Sequence, residues 1–277
     1  MKNIDAGQIT LCIEELFKSA CREYPPEVVP ALNRAAQDED TARARSFLNL
    51  AVENAEIAAE TGLPLCQDTG MAVVFAQIGQ DVHITGGLFE DAVNEGVRRA
   101  YSGMRKSVLS PLDRINTLDN TPAVIHVQLI AGDQIILSAE PKGFGSENMS
   151  ALKMLKPSDG AEGVKCFIID TVKSAGGNPC PPVVVGVGIG GTMEKAAIMA
   201  KHSLLRPLGQ ASEDSVLADM EKELLEKINL LNIGPQGLGG RTTALAVHIE
   251  SYPTHIAGLP VAVNMQCYCA RHKTARI

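Results

Sequence analysis

VVVGVGIGG, Val183–Gly191, runs straight into the helix-like TMEKAAIMAKHSLL, and its reading decides what kind of α/β protein this is. Gly186, Gly188 and Gly191 are spaced G-x-G-x-x-G, and an apolar run, a glycine loop and an amphipathic run follow in the order a dinucleotide-binding unit requires. Such a unit also needs a second parallel strand ending in an acidic residue about twenty positions later. Here that region reads RPLGQASED, Arg206–Asp214, a loop of turn formers that leads into the helix SVLADMEKELLEKINLL. The glycines therefore announce a close backbone approach, and a dinucleotide-binding oxidoreductase is kept only as a reading from another class.

Upstream of this strand, AGGNPCPP, Ala175–Pro182, holds Cys180 between Pro179 and Pro181-Pro182. Proline presets φ and removes backbone donors, so the direction of this thiol is fixed by its neighbours. Downstream, NIGPQGLGGRTTALAVHIES, Asn232–Ser251, is a second glycine-rich loop that ends at Arg241 and feeds a strand carrying His248. The chain closes with an apolar strand ending at Cys267 and a basic tail.

Earlier, GLPLCQDTGMAVVFAQIG, Gly62–Gly79, sets Cys66, Gln67 and Asp68 side by side on a loop before a short buried strand from Met71 to Ala76. Before that loop the pattern is helical from Ala6 to about Gly62, with Asp40 or Thr41 as the cap of the third helix and Gly62 as its stop. Cys12 and Cys21 ride on these helices as core or surface bystanders. Leu88–Met104 has apolar positions at a helical period. RKSVLSPLDRINTLDNTPA, Arg105–Ala123, has basic groups, turn formers and little periodicity, the marks of a long functional loop. AVIHVQLIAGDQIILSAEP, Ala123–Pro141, is two alternating runs joined at Gly132-Asp133, which predicts a β-hairpin with His126 as a structural histidine. PKGFGSEN, Pro141–Asn148, leaves it as a glycine-spaced loop with Lys142, and Ala161–Ala175 reads as a helix containing Cys166.

These elements predict an α/β (mixed α+β) fold. A helical section over 1–62 precedes a mixed β-sheet core flanked by helices over 63–277, in a single domain over 1–277 with no internal repeat or linker. With 45% hydrophobic residues in 277 a sizeable core is assured, and 4% aromatic residues with no Trp make it aliphatic. A net charge of -7 offers no basic field for nucleic acid. No run approaches a membrane span, and the N-terminus lacks a continuous apolar leader, so cytoplasmic residence is the expectation. Seven scattered cysteines are an odd number in a chain too large to need staples, so reduced thiols are expected.

Cys66, Cys180 and Cys267 share a setting, each beside a Pro- or Gly-constrained turn or at a strand end. A closed zinc site prefers paired C-x-x-C knuckles, which are absent. Three isolated thiolates suit a cubane cluster, which then has one iron without a protein ligand, free to act as a Lewis acid.

Taken together LPLCQDTG, RKSVLSPLDRINTLDNTPA, PKGFGSEN, NPCPPVVVGVGIGGT, NIGPQGLGGRTTALAV and VAVNMQC resemble, in order and spacing, the class I fumarase and L(+)-tartrate dehydratase family of iron-sulfur hydro-lyases. The similarity runs from about Ala51 to the C-terminus, and the chain looks like the α subunit of the two-subunit enzymes, equivalent to the N-terminal domain of the fused ones. The resemblance implies that Cys66, Cys180 and Cys267 hold a 4Fe-4S cluster with one open iron, and that Gln67 and Asp68 contact substrate. It places a carboxylate-binding arginine at Arg105 and a substrate-approaching backbone at Gly143 to Gly145. Lys142 is a further substrate-binding candidate. His255 is a further catalytic one, twelve residues before Cys267 as in the fused enzymes. Cys269 departs from the pattern, since relatives commonly have a small residue there; two residues apart on a strand share a face, so it is a competing ligand.

The implied reaction is reversible hydration of a small dicarboxylate, fumarate to L-malate, with dehydration of L(+)-tartrate to oxaloacetate as the alternative. In family relatives the base is a threonine of the C-terminal domain. A separate β subunit is therefore expected to complete the site, and a homodimer of α subunits to form the assembly.

Overall fold

The computed structural model describes all 277 residues, Met1–Ile277. The elements in order are β1 (Lys2–Asp5), α1 (Ala6–Arg22), α2 (Val28–Asp38), α3 (Ala42–Thr61), β2 (Met71–Gly79), β3 (Val82–Thr85), α4 (Phe89–Ala100), β4 (Val124–Ile130) and β5 (Ile135–Lys142). After them come α5 (Phe144–Glu147), β6 (Ala151–Leu155), α6 (Gly160–Ala175), β7 (Val183–Gly190), α7 (Met193–His202), α8 (Ser215–Asn229), β8 (Ala244–Tyr252), β9 (Leu259–Gln266) and β10 (Lys273–Arg276). The mixed α/β class and the helical start follow the sequence pattern.

Contacts gather into two compact units, neither continuous in sequence. The first takes Met1–Pro25, Ala55–Phe144 and Arg271–Ile277; the second takes Pro26–Asn54 and Gly145–Ala270. The division expected at residue 62 is thus not a division of the fold, because α1 belongs to the first unit and α2 to the second. No helix is long and apolar enough to cross a membrane.

In the first unit Asp5 starts α1 with a reciprocal cap, accepting from the Gly7 amide while the Gln8 side chain answers the Asp5 amide. Ile9, Ile13, Leu16 and Phe17 then recur on one buried face. That face meets α4 closely: a Cβ on Gly96 would stand 2.6 Å from the Thr10 carbonyl, and Thr10 donates to Ala92 O at 3.0 Å. Ala92, Val93, Val97 and Ala100 are buried as their spacing predicts, whereas Leu88 is the exposed cap residue just outside the helix. The C-terminal part of α3 lies in this unit, and the Gly62 amide bonds Ala58 O from a left-handed φ of 69°, the stop its sequence foretells.

The four-stranded sheet of this unit has the order β10-β5-β2-β4. The hairpin expected at Gly132-Asp133 does not form: β2 lies between its two arms, parallel to β4 and antiparallel to β5. The physical reason is that MAVVFAQIG carries an unbroken buried run, Ala72–Ala76, and bonds on both edges, so the alternating runs flank it. The short link between them crosses the β2–β3 turn instead, where Asp81 N donates to Gly132 O at 2.9 Å and a Cβ on Gly79 would lie 2.3 Å from that oxygen. β1 and β3 pair in parallel as a small second sheet that the periodicity does not announce.

The second unit is built on the sheet β6-β9-β7-β8, with β8 parallel to β7 and β9 antiparallel to it. The N-terminal part of α3 lies here, with the Thr41 hydroxyl accepting from the Ala44 amide as its cap. Val185, Val187, Ile249, Val263 and Met265 form an aliphatic core with Ile168, Leu224 and Ile228. The glycine fingerprint serves this packing. A Cβ on Gly186 would stand 2.1 Å from Ala200 O, and one on Gly188 2.0 Å from Ala196 O. What approaches the strand is therefore α7 itself.

Candidate active site

The first unit carries Cys66, Gln67, Asp68 and Arg105. The loop that follows α3 holds Cys66 half-buried, its thiol 3.5 Å from Gln67 Oε1, and Gln67 exposed. Asp68 is pinned by two backbone donors, Gly70 N to Oδ1 at 2.9 Å and Phe144 N to Oδ2 at 2.8 Å. A carboxylate has further lone pairs, so each oxygen keeps acceptor capacity for a ligand. Gly143 makes this approach possible, since a Cβ there would already stand 3.3 Å from Asp68 Oδ2.

The long loop expected over Arg105–Ala123 is irregular and is tied to the same turn. Thr69 donates to Arg105 O at 2.7 Å, and the fully buried Asn120 donates to Gly70 O at 3.1 Å while accepting from Ser107 N at 2.8 Å. Arg105 is thereby set beside Asp68, and a cavity of about 480 Å³ opens among Gln67, Asp68, Arg105, Lys106, Asn116 and Phe144. Two cations and one carboxylate give it a positive balance, the charge a dicarboxylate requires. Behind the loop Tyr101 donates to Thr69 O at 2.8 Å, and burial pushes the Tyr101 hydroxyl and the Cys21 thiol up from their ordinary values, so both remain neutral. Cys21 is thus a packing residue, the core reading of its place on α1.

Two residues of this unit depart from expectation. Lys142 is 1% exposed and donates to Gly143 O at 3.1 Å, so it lies beneath the loop and does not line the cavity. Its position at the end of the central strand β5 turns the side chain inward. Arg271, also 1% exposed, is the residue the sequence concealed: its Nη2 donates to Asp68 O at 2.9 Å and to Pro141 O at 3.3 Å. It reads as part of a basic tail, and no local pattern marks it.

The second unit carries Cys180, Cys267 and Cys269. Cys180 sits in the left-handed region at φ 57°, with its amide bonded to Gly177 O at 3.1 Å. Its carbonyl accepts from Tyr268 N at 3.3 Å, which brings it beside the residue next to Cys267. The register agrees: β7 begins and β9 ends at one edge, with Val184 opposite Gln266. Both thiols are half-buried. Cys269 is fully buried, and since β9 ends at Gln266 the shared-face rule for strands does not reach it. Gly145, the second glycine of the expected substrate loop, is exposed, and a Cβ there would meet only Asn178 O, at 3.8 Å.

His255 is placed apart. It lies exposed in the turn between β8 and β9, its Nδ1 accepting from Ala257 N at 3.2 Å. The eight residues of β9 separate it from Cys267 by roughly 26 Å of extended chain, so the spacing of twelve measures a strand and not a shared site within this unit. His126 stacks on Phe75 with centroids 4.8 Å apart, the structural part expected of it.

No three His, Cys, Asp or Glu side chains converge as a metal site. Cys66, Cys180 and Cys267 are half-buried thiols, the donor type that iron-sulfur clusters take.

Residues 10–276 match the family described as fumarate hydratase (fumerase). The chain is 45% identical to the putative L(+)-tartrate dehydratase subunit alpha of Methanocaldococcus jannaschii, over 98% of each chain. It is 33% identical to the L(+)-tartrate dehydratase subunit alpha of Escherichia coli strain UTI89, over 98% of this chain and 91% of that one. Against the same subunit of strain K12 the identity is 32%, over 97% and 90%.

Proposed function

Because this chain belongs to the fumarate hydratase (fumerase) family of hydro-lyases, we propose that it is the cluster-bearing subunit of a dehydratase acting on L(+)-tartrate. The observation that carries the reading is the positively balanced cavity at Asp68 and Arg105 beside the thiol of Cys66. Tartrate is preferred to malate because the relatives that cover nearly the whole chain bear that name. Reversible hydration of fumarate to L-malate is the second reading, favoured by the family description.

In the proposed reaction a C–O bond breaks at one carbon and a C–H bond at its neighbour, the electron pair of the latter forming the double bond as water departs. Cys66, Cys180 and Cys267 would hold a 4Fe-4S cluster, which when bound would supply Lewis acidity for loss of the hydroxyl. Arg105 clamps a substrate carboxylate through its planar fork, and Lys106 adds a second positive charge at the rim. Gln67 donates to the substrate hydroxyls and Asp68 accepts from them, Asp68 without moving because the Gly70 and Phe144 amides already fix it. The C–H proton passes to a base on a separate second subunit, which the relatives' designation as subunit alpha supports.

The test is a substrate panel run anaerobically on the cluster-reconstituted chain with and without its second subunit. L(+)-tartrate turnover by the pair and none by the chain alone is the predicted result. Turnover of fumarate or a methylated fumarate in preference to tartrate selects the second reading, and full turnover by the isolated chain removes the need for a partner.

A further inference from the structure

We infer that Gln236 is the positioning residue of the Cys180 thiol, and that the glycine-rich segment 232–243 is the clamp through which it acts. This rests on the reading of Cys180 as a thiolate ligand.

The Cys180 turn has little to hold it from within beyond the Cys180 N to Gly177 O bond. Pro179, Pro181 and Pro182 have no N–H to give, and Cys180 adopts a left-handed φ of 57° that a side-chain-bearing residue keeps only under outside support. The support comes from 236–237. Gln236 donates twice to the same acceptor, Pro181 O, through its backbone N at 2.9 Å and its side-chain Nε2 at 3.2 Å. The next residue, Gly237, lies against Gly177, whose carbonyl takes the Cys180 amide; a Cβ on Gly237 would stand 2.8 Å from the Gly177 Cα. The turn is therefore gripped at Gly177 and at Pro181 by two consecutive residues of one loop.

That loop is rigid in turn. Gly234 N donates to the Thr243 hydroxyl at 3.2 Å, Gly239 N to Ile233 O at 2.9 Å, and a Cβ on Gly234 would lie 2.1 Å from Gly239 O. Its far end is closed by Glu39, a 1% exposed carboxylate that accepts from Arg241 N at 2.8 Å and Thr242 N at 3.1 Å. The backbone donor of Gln236 alone satisfies Pro181 O. The second donor adds direction: two N–H groups on one oxygen restrict the plane of the Pro181–Pro182 peptide, the one that follows Cys180-Pro181, and so hold the chain on the C-terminal side of the cysteine.

Gln236→Glu keeps the size and the backbone of the residue but sets a carboxylate oxygen against Pro181 O. Iodoacetamide labelling of the full-length apo chain, read residue by residue by peptide mass spectrometry, is expected to show Cys180 reacting about fivefold faster, the ratio one ordinary hydrogen bond controls. Cys66 and Cys267 keep their rates. Gln236→Ala, which removes the side-chain donor without adding charge, shifts Cys180 in the same direction by less and decides the case should Gln236→Glu fail to fold. Unchanged labelling of Cys180, or an equal rise at all three thiols, overturns the inference. Iron and sulfide counts on Cys180→Ser test the ligand reading separately: cluster retained there refutes that reading and leaves the labelling result to judge Gln236.

Discussion

The loop at Cys66–Gly70 and the turn at Gly177–Pro182 each present a cysteine, and they are held by opposite means. In the first, side chains do the work: Asp68, Thr69, Asn120 and Arg271 all bond backbone groups of the loop or its neighbours. In the second, prolines, glycines and main-chain bonds fix the geometry, and the Gln236 side chain reaches in. A polar frame leaves spare lone pairs and charges at the surface, which a hydroxylated dicarboxylate needs. The turn Gly177–Pro182 carries no charged side chain around its half-buried cysteine, which suits a ligand that must exclude competing donors. Substitutions in the first loop should therefore alter kinetics with the cluster kept, and those in the second should alter the cluster.

Asp68→Asn tests that division most severely. It preserves shape and removes the charge, and kcat is expected to fall by about 10²- to 10⁴-fold while iron and sulfide remain at the level of the unmodified chain. Loss of iron in step with activity would break the comparison, making the loop a cluster support only. Arg105→Gln follows: without the fork, KM rises about tenfold or more and kcat changes less, as for a group that binds ground and transition states alike. A fall in kcat at constant KM would move Arg105 from clamp to chemistry. Arg271→Met removes two charge-assisted bonds to buried carbonyls, and a stability loss of about 3 kcal/mol is expected from chemical denaturation, with Arg271→Lys recovering part of it. The smallest effect belongs to the second unit. Gly188→Ala crowds Ala196 O and should cost about 1 to 3 kcal/mol of stability without changing kcat, KM or iron content at a permissive temperature.

Much of the first unit's share was legible because its residues are adjacent in sequence. Cys66-Gln67-Asp68 stands between a helix stop and an apolar strand, and a long loop without periodicity follows; Gln67, Asp68 and that loop line one cavity. Legibility failed where the meaning of a pattern depends on what lies between. Gly132-Asp133 has hairpin chemistry, yet β2 takes the place between the arms, because pairing is settled by burial of the whole strand and not by the turn. The glycines of 186–191 have dinucleotide spacing, yet they admit α7, since any close neighbour of a strand makes the same demand as a phosphate. Arg271, Glu39 and Gln236 were silent for a third reason. Each acts by bonding backbone atoms more than fifty residues away, and a single sequence has no signal for that.

The proposed function requires Cys66, Cys180 and Cys267 to hold one cluster, and anaerobic iron and sulfide counts on single serine variants measure that directly. The prediction is about four irons and four sulfides per chain in the unmodified protein and in Cys269→Ser, with counts near background in Cys66→Ser, Cys180→Ser and Cys267→Ser. Full counts in all three of those variants, or loss in Cys269→Ser alone, would contradict it.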